Sequence, residues 1–131
     1  MRALSIRPPW AHAIAHLGKR CENRGWATRY RGPILIHASS TIRLADFRQL
    51  ERIVGYEVDR DSCERGAIIA VAQLVDCIPV DRVADSPWAT GPVAWILDDV
   101  RLLAKPIRLR GKLGLWTPSA NAISRCRAQT A

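Results

Sequence analysis

Gly66-Ala67-Ile68-Ile69-Ala70-Val71-Ala72-Gln73-Leu74-Val75 decides the fold class. The run is rich in β-branched and small apolar residues and carries no charge, which suits a long, largely buried strand. Toward the C-terminus, residues 81–92 hold the acids Asp81 and Asp85 with Pro87, Gly91 and Pro92, and read as a loop or short helical turn. Val93 to Leu97 reads as a further strand. Val100 to Leu103, Ile107 to Leu109 and Leu113 to Trp116 read as short strands, with turns at Lys105-Pro106 and Gly111. Toward the N-terminus, Leu44, Phe47, Leu50 and Val54 keep helical spacing, with Gly55 as the stop and Ser39, Ser40 or Thr41 as the cap. Ile34 to His37 is a strand, Pro9 to Leu17 a helix whose buried stripe is Trp10, Ile14 and Leu17, and Ala3 to Ile6 a first strand. Ser119 to Ala131 lacks a stripe and is expected to fray. The pattern predicts an α+β fold, a small, mostly antiparallel β-barrel flanked by two or more helices. A single domain is expected over residues 1–118, followed by a flexible basic tail over 119–131.

With 131 residues and 48% hydrophobic content, the chain can bury one core. No apolar run approaches the ~20 residues that span a bilayer, so no membrane partner is expected. Arg2 and Arg7 flank only four residues, too few for a secretory leader, and the expected location is cytoplasmic. Cys21, Cys63, Cys77 and Cys126 are too far apart for a paired zinc or redox motif; free thiols and no metal are expected. The net charge of +8 favours a polyanionic partner. Seventeen of the twenty cations are Arg, a bias that a GC-rich coding sequence also produces, so distribution says more than the total. Residues 1–31 hold seven cations and one acid, residues 100–131 seven cations and no acid, and residues 41–99 six cations and eleven acids.

The first basic end concentrates the chemistry. Residues 19–33 contain five cations, Glu22, the aromatics Trp26 and Tyr30, and the turn formers Gly25, Gly32 and Pro33. Glu22 stands three residues after Lys19 and two before Arg24. It can pair with both where the backbone turns, leaving cation donors for phosphate or a base edge. The same charges equally describe a salt-bridge network that pins the segment. Trp26, between Arg24 and Arg29, is the best placed tryptophan to stack a base, whereas Trp10 and Trp95 read as core. His12 and His16 lie on the solvated face of the first helix, and His37 ends a strand where it could line a cleft.

Leu4-Ser5-Ile6-Arg7-Pro8-Pro9-Trp10-Ala11, then Gly18-Lys19-Arg20-Cys21-Glu22-Asn23-Arg24-Gly25-Trp26, then Thr28-Arg29-Tyr30-Arg31-Gly32-Pro33-Ile34-Leu35-Ile36-His37-Ala38 closely resembles the ASCH-domain family of the PUA-like superfamily. The family's hallmark is Gly-x-Lys-x-x-Glu-x-Arg, in which Lys19, Glu22 and Arg24 fill the charged positions. The strand from Gly66 and the closing Arg110-Gly111-Lys112-Leu113-Gly114-Leu115-Trp116 extend the likeness over roughly residues 3–117. Two positions depart: Leu17 occupies the motif glycine's place, and Pro8 stands where relatives often carry Gln.

The resemblance implies a PUA-like barrel and an RNA-binding module for single-stranded or structured RNA. Lys19, Arg20, Arg24, Arg29, Arg31, Arg110 and Lys112 are then the candidate phosphate or sugar contacts, with Trp26 stacking and no cofactor. It also implies an enzymatic alternative, with Lys19 and Glu22 in acid–base roles on RNA or a modified nucleoside. One branch of the family hydrolyses N4-acetylcytidine with Lys, Thr and Glu. Lys19 matches that lysine, but Glu22 takes the threonine's place, Cys21 is only adjacent and Thr28 does not align. Another member resembles a metal-dependent ribonuclease, for which this chain offers no dense carboxylate cluster. A module docking an acidic protein segment is the third class.

Overall fold

The computed structural model describes residues 1–130; Ala131, the last residue of the expected tail, lies outside the described residues. Six strands form one sheet: β1 (Arg2–Ile6), β2 (Cys21–Arg24), β3 (Gly32–Ala38), β4 (Ala67–Pro79), β5 (Val93–Arg108) and β6 (Leu115–Trp116). Their order is β2-β5-β4-β3-β1-β6. β1 runs parallel to β3, with Arg2 opposite Ile34, and the other pairs are antiparallel. Helices α1 (Trp10–His16), α2 (Leu44–Val54) and α3 (Ala120–Thr130) complete the domain.

Side chains alternate across each strand, so the sheet has two buried faces. Leu4, Ile6, Ile34, Ile36, Leu74 and Trp95 pack with Ala11 and Ile14 of α1 on one face. Ala3, Leu35, Ile68, Val71, Ile107 and Trp116 pack with Cys126 of α3 on the other. The α+β, mostly antiparallel reading holds, but the barrel does not close: β2 and β6 are free edges. Repeated register shifts between β4 and β5 bend the sheet into a curled half-barrel instead.

Five local expectations are corrected. The four strands expected after residue 92 resolve into one sixteen-residue β5 and a two-residue β6. The expected turn at Lys105-Pro106 is a bulge: Leu102 pairs with Ala70 and Ile107 with Ile68, and the residues between, Pro106 among them, owe no ladder hydrogen bond to β4. Residues 21–24, expected to turn, form the edge strand β2, with Glu22 opposite Trp95. None of Ser39, Ser40 and Thr41 caps α2, because Ser39 N–H still bonds Ile6 O in the extended chain; Arg43 is the first flanking residue and makes no side-chain cap. Finally, residues 120–130 are a helix rather than a frayed tail. Its stripe is of small residues, Ala122 and Cys126, and the Gln129 amide both accepts from Lys105 N–H (2.8 Å) and donates to Lys105 O (3.0 Å).

Candidate functional site

The site begins where α1 ends. Gly18, at φ +75°, stops the helix, and Lys19 N–H returns to Ala13 O. That turn sends the Lys19 side chain inward until it is 2% exposed. Lys19 Nζ donates to Cys21 O and to Glu22 Oε1 (3.3 Å). Glu22, 7% exposed, offers Oε2 to Arg24 Nη2 at 3.1 Å. Arg24 Nη2 also donates to Ser5 O (3.0 Å), and its Nε is buried without a partner. One buried carboxylate thus organises two cations, the arrangement expected from the 19–24 spacing. Desolvation makes such a cluster weak evidence for a stabilising role on its own.

The cluster lines a cleft of about 270 Å³. On one side the Arg7 guanidinium grips Asp46 through Nε (3.0 Å) and Nη2 (3.5 Å), tying the β1–α1 turn to α2, whose Gln49 and Ile53 also line the cleft. On the other side Asn23 holds Trp88 and Thr90: its Nδ2 donates to Trp88 O (2.9 Å), and its Oδ1 accepts from Thr90 N (2.9 Å) and Gly91 N (3.1 Å). Gly91 must be glycine, since at φ +71° a Cβ would sit 2.6 Å from Val80. The Trp10 ring forms part of the wall, with Lys19 Nζ 5.9 Å from its centroid.

Lys19, Glu22 and Arg24 therefore meet in the cleft, but the other sequence candidates do not join them. Arg20 caps α1, donating to Ile14 O (3.0 Å) and Lys19 O (3.3 Å). Trp26 is 43% exposed outside the cleft, edge-on to Trp95 at 4.8 Å. Arg29 is exposed and does not line it, and Arg31 bonds Thr28 O and Tyr30 O and approaches Asp76 at 3.6 Å. Trp95 is core, as expected, whereas Trp10 is only half-buried because its ring borders the cleft. Sequence reasoning missed Arg7, Asn23, Asp46, Gln49, Trp88 and Thr90. Of these, only Asp46 and Gln49 carried a signal, being spaced with Ile53 along one face of α2.

Arg110 and Lys112 line a second cavity, of about 480 Å³, with His37, Ser39 and Ser40. His37 turns away from the first cleft. Its Nε2 faces Leu109 O at 2.8 Å and must carry the proton, so Nδ1 accepts from the Ser5 hydroxyl at 3.0 Å. Trp116 Nε1–H donates to the same hydroxyl (3.2 Å). Burial pushes the His37 pKa below its ordinary value, against the opposing pull of the Leu109 carbonyl. His12 is lowered too, by burial and then by His16, whose ring lies 4.7 Å away. All four cysteines are free. Among the described residues no group of three His, Cys, Asp or Glu side chains is placed to hold a metal, and no helix is long and apolar enough to cross a membrane.

A curled mixed sheet flanked by three helices, with a cation-rich cleft beside β2, defines a small domain of PUA-like fold. Within that class, the ASCH domain profile matches residues 4–96, and the chain belongs to the ASCH domain family. No curated protein matches the sequence. The structure is similar to that of ASCH from Zymomonas mobilis, with a TM-score of 0.59 at 14% identity, covering 97% of this chain and 93% of that one. A serine-to-alanine variant of the Zymomonas mobilis protein gives 0.63 at 14% identity, over 97% and 94%. At that identity the likeness speaks for the fold alone.

Proposed function

We propose that this ASCH domain binds RNA, taking an unstacked nucleotide of a single-stranded or structured RNA into the first cleft. The observation that carries the reading is the buried Lys19–Glu22–Arg24 cluster opening into a cavity walled by Trp10 and Trp88. About 270 Å³ lies just below the ~300–1,000 Å³ usual for small-ligand pockets, enough for one splayed nucleotide and too little for a duplex. Glu22 holds both cations in place, leaving the remaining donors of Lys19 and Arg24 for phosphate, sugar or a base edge. The tryptophans supply apolar surface for the base. ASCH domains are generally proposed to bind RNA, which supports the same reading.

The test is fluorescence anisotropy of a labelled single-stranded RNA at low and moderate salt, with the same samples run on a gel. The expected result is intact RNA bound in a salt-sensitive manner, and weaker binding by Arg24→Ala with its fold intact. Salt-independent binding, or none, would sink the reading. Shortened RNA would replace it with a nuclease in which Lys19 and Glu22 act as acid and base.

A further inference from the structure

The second cavity is not part of the cleft, yet the two adjoin. Ser5 lines both: its carbonyl receives Arg24 on the cleft side, and its hydroxyl bonds His37 beside the second cavity. The lining contains no acid. Arg110 and Lys112 make no ion pair among the described residues, unlike Arg7, Lys19, Arg24 and Arg31. Ser39 and Ser40 contribute hydroxyls, and Ser39 Oγ is buried without a hydrogen-bond partner. The segment carrying the two cations is held firmly. Leu109 is bonded at both ends of its peptide, N–H to Gly66 O and O to His37, and Gly111 lies so close that a Cβ would stand 2.3 Å from Ser5 Oγ. At the rim Leu113 is 99% exposed, an apolar side chain next to Lys112 with nothing packed on it. Held cations, free hydroxyls and an uncovered apolar tip match the phosphate and base of a nucleotide.

We propose that the second cavity is a nucleotide subsite continuous with the cleft through Ser5. Arg110 and Lys112 bind the phosphate of a neighbouring nucleotide of the same strand, and Leu113 packs against its base. This rests on the RNA reading of the cleft and adds to it that the ligand is a strand of at least two nucleotides.

The test compares the parent with the double variant Arg110→Ala/Lys112→Ala. Calorimetry would use a nucleoside monophosphate and a short oligoribonucleotide over a range of salt. A control double variant, Arg125→Ala/Arg127→Ala, removes the same charge from exposed positions on α3 that line neither cavity. Losing one neutralised phosphate lowers the slope of log affinity against log salt by about 0.7 for a single strand. The subsite variant is expected to show that drop with the oligonucleotide and to bind the monophosphate as the parent does. The control is expected to keep the parent's slope, and Leu113→Ala to weaken the oligonucleotide without changing the slope. An unchanged slope in the subsite variant, or equal losses in both double variants, overturns the subsite while leaving the cleft reading intact. If the parent binds no oligonucleotide at all, the cleft reading fails and the subsite with it.

Discussion

Glu22 is the residue on which the cleft turns, because it is the single carboxylate between two cations that the fold has taken out of water. Removing one partner from a buried ionic cluster leaves uncompensated charge, at a cost of about 3–5 kcal/mol. Glu22→Ala is therefore expected to lower stability by about 3 kcal/mol in urea denaturation, with Arg24's partial exposure keeping the loss at the low end. Replacing the pair together, Lys19→Met with Glu22→Leu, is expected to recover most of that stability while RNA binding stays lost. A double variant as unstable as the single one would mean that the cluster is needed for folding itself. Gly111 makes a second residue-scale case. Its Cβ position is occupied by Ser5 Oγ and the His37 ring, so Gly111→Ala is expected to cost about 1–3 kcal/mol and to disturb the imidazole resonances of His37. His37 also has a pH signature. Its pKa is lower in the folded than in the unfolded chain, so the unfolded state binds more protons below its ordinary value of 6.5. The stability it contributes is complete above that pH and is lost as pH falls toward the folded-state pKa. His12 acts in the same direction, so the comparison belongs in a His12→Gln background. There, adding His37→Gln is expected to flatten the fall in urea midpoint on acidification below pH 6.5, and an unaltered fall would count against the assignment.

At the scale of elements, α3 is the clearest case of structure made by its neighbours. Its amphipathic stripe is too slight to mark a helix in isolation, and short helices are marginal in water without packing. It is ordered because Cys126 and Ala122 cover the second sheet face and Gln129 satisfies the Lys105 backbone where β5 bulges. Gln129→Ala is expected to cost about 1 kcal/mol and to speed hydrogen exchange at Lys105 N–H. Equal exchange in both proteins would show that the clamp is not formed in solution. The edge strand β2 is similar. Cys-Glu-Asn-Arg has little strand propensity, and it is extended because β5 offers it a partner, with Glu22 opposite Trp95.

Across the whole molecule, the two basic ends of the sequence meet at β1. β6 pairs with β1 on one side, the Arg24 side chain reaches Ser5 of β1 from β2, and the two cavities adjoin at that residue. On the proposed reading RNA affinity is therefore expected to fall steeply with salt, and to fall less steeply as cations lining the cleft or the second cavity are removed. The apolar run of β4, the helical spacing of α1 and α2, and the Lys19–Glu22–Arg24 motif were legible in the residues themselves. Each rests on a local period or a short spacing that the backbone converts directly into geometry. The open half-barrel, the ordered C-terminal helix, the parting of Arg110 and Lys112 from the first cleft, and the exchange of Trp26 for Trp10 and Trp88 in its walls were decided only by tertiary structure. Bulges, edge pairing and the Asn23 and Arg7 clamps join segments tens of residues apart, and no local pattern along the chain encodes which of those segments will meet.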